Sequence, residues 1–259
     1  MEAGLNFFSI RNYLQTEKGF LNAAITAKKA GYSYMQYSAA PYIPERIKRV
    51  SEESGLGVCL THVPMDRIIG DTEKLMEEHA LFGCNNIGLG MIPTKYFLDE
   101  NELKRQVSLL NKAGEKMKNN GYTLCYHHHH FEFYRLSNGD TVFDYILKNA
   151  PYIYFTADTY WIHYGGLDVI SLIKKAKGRI ACAHLKDYKI EMNVKDENVV
   201  EFRPRFAPVG EGNMDFKAIV PALKEAGAKY FLVEQDDAPD YPDPMGEVIK
   251  SINYIKKEL

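Results

Sequence analysis

Long apolar runs are missing from this chain of 259 residues. None approaches the roughly 20 residues needed to cross a bilayer, so no membrane span is expected. The amino end, Met1-Glu-Ala-Gly-Leu5, has no basic stretch leading into an apolar one. A cleaved secretion signal is therefore not expected, and the cytoplasm is the expected compartment. An excess of charge is missing too: 32 Lys and Arg against 34 Asp and Glu leave a formal charge of −2. That balance provides no general attraction for a phosphate backbone, and nucleic acid is not an expected partner. Cysteine is scarce. Cys59, Cys84, Cys125 and Cys182 lie far apart in or beside apolar stretches, without a C-x-x-C pair, and read as buried reduced thiols. The 19 Gly and 11 Pro are dispersed, which excludes collagen-like and low-complexity chains. What remains, with 46% hydrophobic residues, is a globular chain able to bury roughly three quarters of its unfolded surface.

The apolar pattern alternates between two periods. Leu5–Ile10 reads as a strand and Phe20–Ala30 as a helix stopped by Gly31. The pair then recurs as Tyr32–Ser38 with Pro44–Ser54, Leu56–His62 with Thr72–Phe82, and Asn86–Met91 with Glu102–Asn119. Tyr122–His128 with Thr141–Asn149 and Tyr152–Thr159 with Leu167–Lys177 continue the series. Ile180–Leu185 with Phe216–Ala226 and Tyr230–Glu234 with Met245–Lys257 complete it. Glycine recurs where a helix must end in a left-handed turn. Eight strand-then-helix units imply parallel pairing through right-handed crossovers. Their number and length match an α/β (β/α)8 TIM barrel forming one domain over residues 1–259. A doubly wound open sheet fits less well, because Ser9-Ile-Arg-Asn12 stands where a Gly-rich phosphate turn belongs. Residues 188–214 break the rhythm with a long charged segment after the seventh strand. The expectation there is a loop that contacts substrate over the catalytic face.

Barrel enzymes carry their reactive groups at the carboxyl ends of strands. Here those ends are Thr61-His62, His127-His-His-His-Phe-Glu132, Asp158 followed by Trp161 and His163, His184-Leu-Lys-Asp187 and Glu234-Gln-Asp236. Strand alternation places His127 and His129 on one face and His128 and His130 on the other. Glu132, Asp158, His184 and Glu234 put an acid or an imidazole at the mouth of four consecutive strands. Three carboxylates and one imidazole form an oxygen-rich shell for one divalent ion, with Mn²⁺ the first expectation and Mg²⁺, Co²⁺ or Zn²⁺ also suited.

The segments Tyr126–Phe133, Ala157–Trp161, Ala183–Asp187, Pro208–Asn213 and Val233–Asp236 resemble the signatures of the xylose isomerase-like barrel superfamily. The nearest branch is the one called sugar phosphate isomerase/epimerase. The superfamily also holds ketose 3-epimerases, inosose dehydratase, endonuclease IV and enzymes that cleave 3-keto-glycosides. The resemblance spans essentially the whole chain and implies a metal held by Glu132, Asp158, His184 and Glu234. One departure stands out. The epimerase branch has its first Glu on the fifth strand itself, near Tyr126 or His127 here. Either Glu132 reaches the metal or a histidine of 127–130 replaces it; Glu132 is the expectation.

The expected activity is a divalent-metal-dependent isomerase or epimerase acting on a ketose or keto-sugar through a metal-stabilised enediolate. Glu132 and Glu234 would flank the sugar. His127 or His129, with an ordinary pKa near 6.5, would be the better-matched base. Lys186 would hold an oxyanion or a phosphate, and Glu211 within Gly210-Glu-Gly212 would approach the ligand. His62, Trp161 and His163 would contact substrate, Trp161 and Phe8 by stacking on the ring. The alternatives are a dehydratase or 3-keto-glycoside lyase using the same enolate, an endonuclease IV-like repair enzyme, and a non-catalytic metal- or sugar-binding barrel. A small sugar is the expected partner, and a homo-oligomer is compatible with the sequence.

Overall fold

The computed structural model describes residues 1–259. Eight parallel strands close into a barrel: β1 (Gly4–Asn6), β2 (Tyr34–Tyr37), β3 (Gly57–His62), β4 (Asn86–Leu89), β5 (Thr123–His127), β6 (Ile153–Asp158), β7 (Ile180–Leu185) and β10 (Tyr230–Val233). Between β7 and β10 two further strands, β8 (Asp187–Asp196) and β9 (Val199–Ala207), form a separate antiparallel ribbon. The eight-unit (β/α)8 reading is thus what the chain adopts. No helix is long and apolar enough to cross a membrane.

The helices form where capping and periodicity agree. In α1 (Glu17–Ala30) the Thr16 side chain accepts from the Gly19 amide, and Gly31 ends the helix at φ 107°, a left-handed conformation that costs glycine little. Its inward residues Phe20, Ala23, Ala24 and Ala27 recur at three- and four-residue spacing. They join one continuous core between barrel and helices. A second, smaller core of Cys59, Leu60, Cys125, Cys182 and Leu232 fills the barrel interior below the mouth. All four cysteines are free and buried.

Two local expectations change. The first strand stops at Asn6 instead of continuing to Ile10, and Phe7–Gln15 winds into 3-10 turns. The Asn6 side chain accepts from the Phe8 amide, a local bond that diverts the backbone from the sheet. Residues 188–214 are not a loop throughout, since most of them belong to the β8–β9 ribbon.

The ribbon is anchored at its base. Asp187 accepts from the backbone amides of Tyr188, Gly210, Gly212 and Met214 at 2.8–3.1 Å. A Cβ at Gly212 would collide with that carboxylate, so the Gly210-Glu-Gly212 turn serves the Asp187 anchor. Glu211 itself is exposed.

Candidate metal centre

Four buried side chains converge at the mouth. His127 ends β5, Asp158 ends β6, His184 lies on β7 and Glu234 follows β10; one ligand atom from each lies within 4.8 Å of the others. Asp158 Oδ2 is 3.3 Å from His127 Nε2 and 3.6 Å from His184 Nδ1, while Glu234 Oε2 is 2.8 Å from His184 Nδ1.

The outer atoms of both imidazoles fix what the inner atoms present. His127 Nδ1 faces the Gly90 carbonyl at 3.1 Å. A carbonyl can only accept, so Nδ1 carries the proton and Nε2 turns a lone pair toward Asp158. His184 Nε2 faces Gln36 Oε1 at 2.7 Å, while Gln36 Nε2 is spent on Ser38 Oγ and His62 Nε2. In its neutral form His184 therefore also turns a lone pair inward, from Nδ1. Asn6 Nδ2 donates to Glu234 Oε1 at 2.6 Å, leaving Oε2 for the interior. His184 Nδ1 and Glu234 Oε2 are buried without a hydrogen bond, and Lys186 Nζ at 3.0 Å is the cation that Oε2 faces within the chain. Lone pairs facing lone pairs in a dry site are what a cation relieves, so the donor set fits a metal.

Lys186 completes the electrostatics. Its ammonium lies 3.1 Å from Asp158, 3.0 Å from Glu234 and 3.0 Å from Asp236. Burial opposes its charge, but the three carboxylates outweigh burial and hold its pKa above the usual lysine range. Burial likewise opposes charge on Glu234, and His184 and Lys186 overcome it, keeping that carboxyl well below its usual value. For His184 burial is outweighed by Glu234 and Asp158, and its pKa rises to about 9. With His184 neutral, as a ligand must be, three carboxylates against one ammonium leave two negative charges, which one divalent ion balances.

Glu132 is not among the converging residues. β5 ends at His127, and a 3-10 turn over Phe131–Phe133 carries Glu132 away from the other three. Its carboxylate accepts from the Tyr126 hydroxyl and, at 2.6 Å, from the His129 amide. Burial pushes its pKa up to about 7. The structure brings in His127 where the sequence favoured Glu132.

The histidines also differ from the expected bases. Burial drives His127 down to about 3 and His129 down to about 2, so neither keeps a pKa near 6.5. The His129 ring lies 4.4 Å from that of His127 and 5.4 Å from Trp161, so both expected residues border the site. His62 stacks on His127 at 5.5 Å. A cleft of about 1000 Å³ lies on the other side of His62, lined also by Gly90, Tyr42, Met65 and Tyr96 and by none of the four converging side chains. Trp161 faces Lys186 at 5.2 Å. His163 is tied to the Tyr188 hydroxyl at 2.6 Å, at the base of the ribbon, and Phe8 lies under the Arg11 guanidinium at 4.3 Å.

Sequence reasoning missed Gln36 and Asn6, and it gave no role to His128 and Asp236, which it had noted at strand ends. The Asp158 amide donates to His128 Nε2 at 3.2 Å, fixing the end of β6. The signal for Gln36 and Asn6 was present: each is a lone polar residue inside a short apolar strand, Met35-Gln36-Tyr37 and Leu5-Asn6-Phe7.

Residues 25–258 match the family model of the xylose isomerase-like TIM barrel. An inosose dehydratase of Clostridium perfringens is 31% identical over 172 residues, which cover 63% of this chain and 57% of that protein. The match thus spans little more than half of the relative's length. Among solved structures, a sugar phosphate isomerase/epimerase of Parabacteroides distasonis superposes with a TM-score of 0.82 at 21% identity, covering 99% of this chain and 94% of that one. A D-allulose 3-epimerase of a Methylomonas species, in complex with D-allulose, has a TM-score of 0.69 at 14% identity, covering 100% and 97%. At these identities the two structures speak for the fold alone.

Proposed function

The chain belongs to the xylose isomerase-like TIM barrel family, and on that premise we propose that it is a divalent-metal-dependent lyase that removes water from a keto-polyol. The observation that carries this reading is the inward lone pair on each of two imidazoles whose outer nitrogens are already spent on Gly90 and Gln36. His127, Asp158, His184 and Glu234 would hold the ion. With two nitrogen donors instead of one, the set suits Mn²⁺, Co²⁺ or Zn²⁺ better than Mg²⁺. A cation at this position supplies Lewis-acid stabilisation of negative charge developing on substrate oxygens.

The residues then divide the work. Lys186 Nζ donates to the same developing charge. Glu234, kept ionised by His184 and Lys186 and oriented by the Asn6 bond on Oε1, takes the proton from the carbon next to the carbonyl. The same carboxyl returns that proton to the β-hydroxyl as its carbon–oxygen bond breaks, so a carbon–carbon double bond and water form in balance. Epimerisation requires a second group on the opposite face of the substrate. The candidate for that role, Glu132, is engaged with Tyr126 and His129 instead. The name of the Clostridium relative supports a keto-inositol as the first polyol to try.

The test is incubation of the metal-loaded protein with keto-inositols and ketohexoses in deuterated water, followed by NMR and ultraviolet absorption. The expected result is an absorbing unsaturated ketone from a keto-polyol. Recovery of a deuterated epimer without unsaturated ketone would overturn elimination in favour of epimerisation.

A further inference from the structure

We propose that the apolar face of the β8–β9 ribbon is a docking surface for the same face of a second copy of this chain. Directly opposed residues of an antiparallel pair share a face. The register opposes Ile190 to Pro204, Met192 to Phe202 and Val194 to Val200, which gathers six apolar side chains on one side. The intervening residues Lys189, Glu191, Arg203 and Arg205 lie on the other. The ribbon is thus amphipathic, yet beyond the Tyr188–Phe206 pair at its base the apolar side stands open: Met192 is 57% exposed, Phe202 64% and Val194 67%.

The ribbon does not lie down because its base is fixed. Tyr188 and Phe206 pack on Tyr160 with ring centroids 5.5 and 4.8 Å apart. Arg205 bonds both Glu191 and Asp237. An exposed apolar face of this kind on a rigid support marks an interaction site.

Charge and area select the partner. Lys195 and Arg203 pair with Glu201, and Arg205 pairs with Glu191. Over residues 187–207 as a whole four basic side chains stand against five acidic ones, so the ribbon has no cationic excess to hold an anionic lipid surface. Two stacked apolar faces of roughly 600 Å² each bury on the order of 1,200 Å², the lower bound for a stable protein pair. A two-fold axis makes the single patch complementary to itself.

The full chain is examined by sedimentation and light scattering from nanomolar to tens of micromolar. A species of twice the 29.6 kDa chain mass is expected at the upper end. The double variant Met192→Glu with Phe202→Glu should give the single-chain mass, while Met192→Leu with Phe202→Leu should keep the pair. Hydrogen exchange of the wild-type chain provides a readout without variants: amides of residues 188–206 gain protection as concentration rises. A wild type of single-chain mass throughout, a paired glutamate variant, unchanged ribbon exchange, or flotation of single chains with phosphatidylglycerol vesicles would each overturn the proposal.

Discussion

The barrel interior has two ends built from the same strands, and they differ by one step along the backbone. Leu60 is followed two residues later by His62, Cys125 by His127, Cys182 by His184 and Leu232 by Glu234. The first member of each pair belongs to the dry inner core, and the second stands at the mouth. Residues two apart on a strand share a face, so the change from thiol and leucine to imidazole and carboxylate occurs within roughly 7 Å. Burial acts at both ends. It pushes the Cys59 thiol far above its ordinary value, and so keeps the floor uncharged. For the mouth carboxylates Asp158 and Glu234 burial is outweighed by Lys186 and by the neighbouring imidazoles. The lesson is a division of labour: the floor holds the strands together, and the mouth uses them to keep charges close that would separate in water.

The sharpest way to break this division is Asp158→Asn. Asp158 faces both imidazoles and Lys186, so the variant should lose bound metal and lower turnover by about 10³-fold or more. Metal content and initial rates check this. At the floor, Leu232→Ala should cost about 2–5 kcal/mol in denaturant unfolding, with metal affinity unchanged within a factor of two or so. A large loss of affinity would show that floor and mouth are not separate.

Glu132 gives a pH signature of its own. Its folded pKa of about 7 lies above the ordinary glutamate value, so the folded chain holds this proton more tightly than the unfolded one. The stabilisation is complete below the unfolded pKa and is lost as pH rises through about 7. It amounts to on the order of 3 kcal/mol. Glu132→Gln should flatten that part of the stability profile measured by urea unfolding between pH 5 and 8, and an unchanged slope would contradict the assignment. The smallest effect is expected from Gln36→Leu. It removes the acceptor that fixes His184 and should weaken metal binding about 10- to 100-fold in a calorimetric titration.

The barrel was legible because its strands are short apolar runs separated by helical periodicity, and the fold follows from their number. Asp158, His184 and Glu234 were legible because each is a charged or imidazole group at the end of such a run. His127 was not separable from Glu132, because the choice depends on where β5 ends: at His127 the side chain still points into the barrel, whereas five residues later the chain has turned away. The ribbon was misjudged as a loop although Tyr188-Lys-Ile-Glu-Met-Asn-Val-Lys195 alternates at the period of a strand. Its charged residues drew attention away from that alternation. The histidine pKa values were out of reach from sequence, since burial sets them and burial belongs to the assembled barrel.

The central claim is that His127, and not Glu132, completes the cation cage. Calorimetric titration of Mn²⁺ or Zn²⁺ into metal-free wild type, His127→Ala and Glu132→Gln compares the two directly. The account predicts one ion per chain in wild type and in Glu132→Gln, with affinity lost in His127→Ala. An intact site in His127→Ala together with a lost one in Glu132→Gln would contradict it.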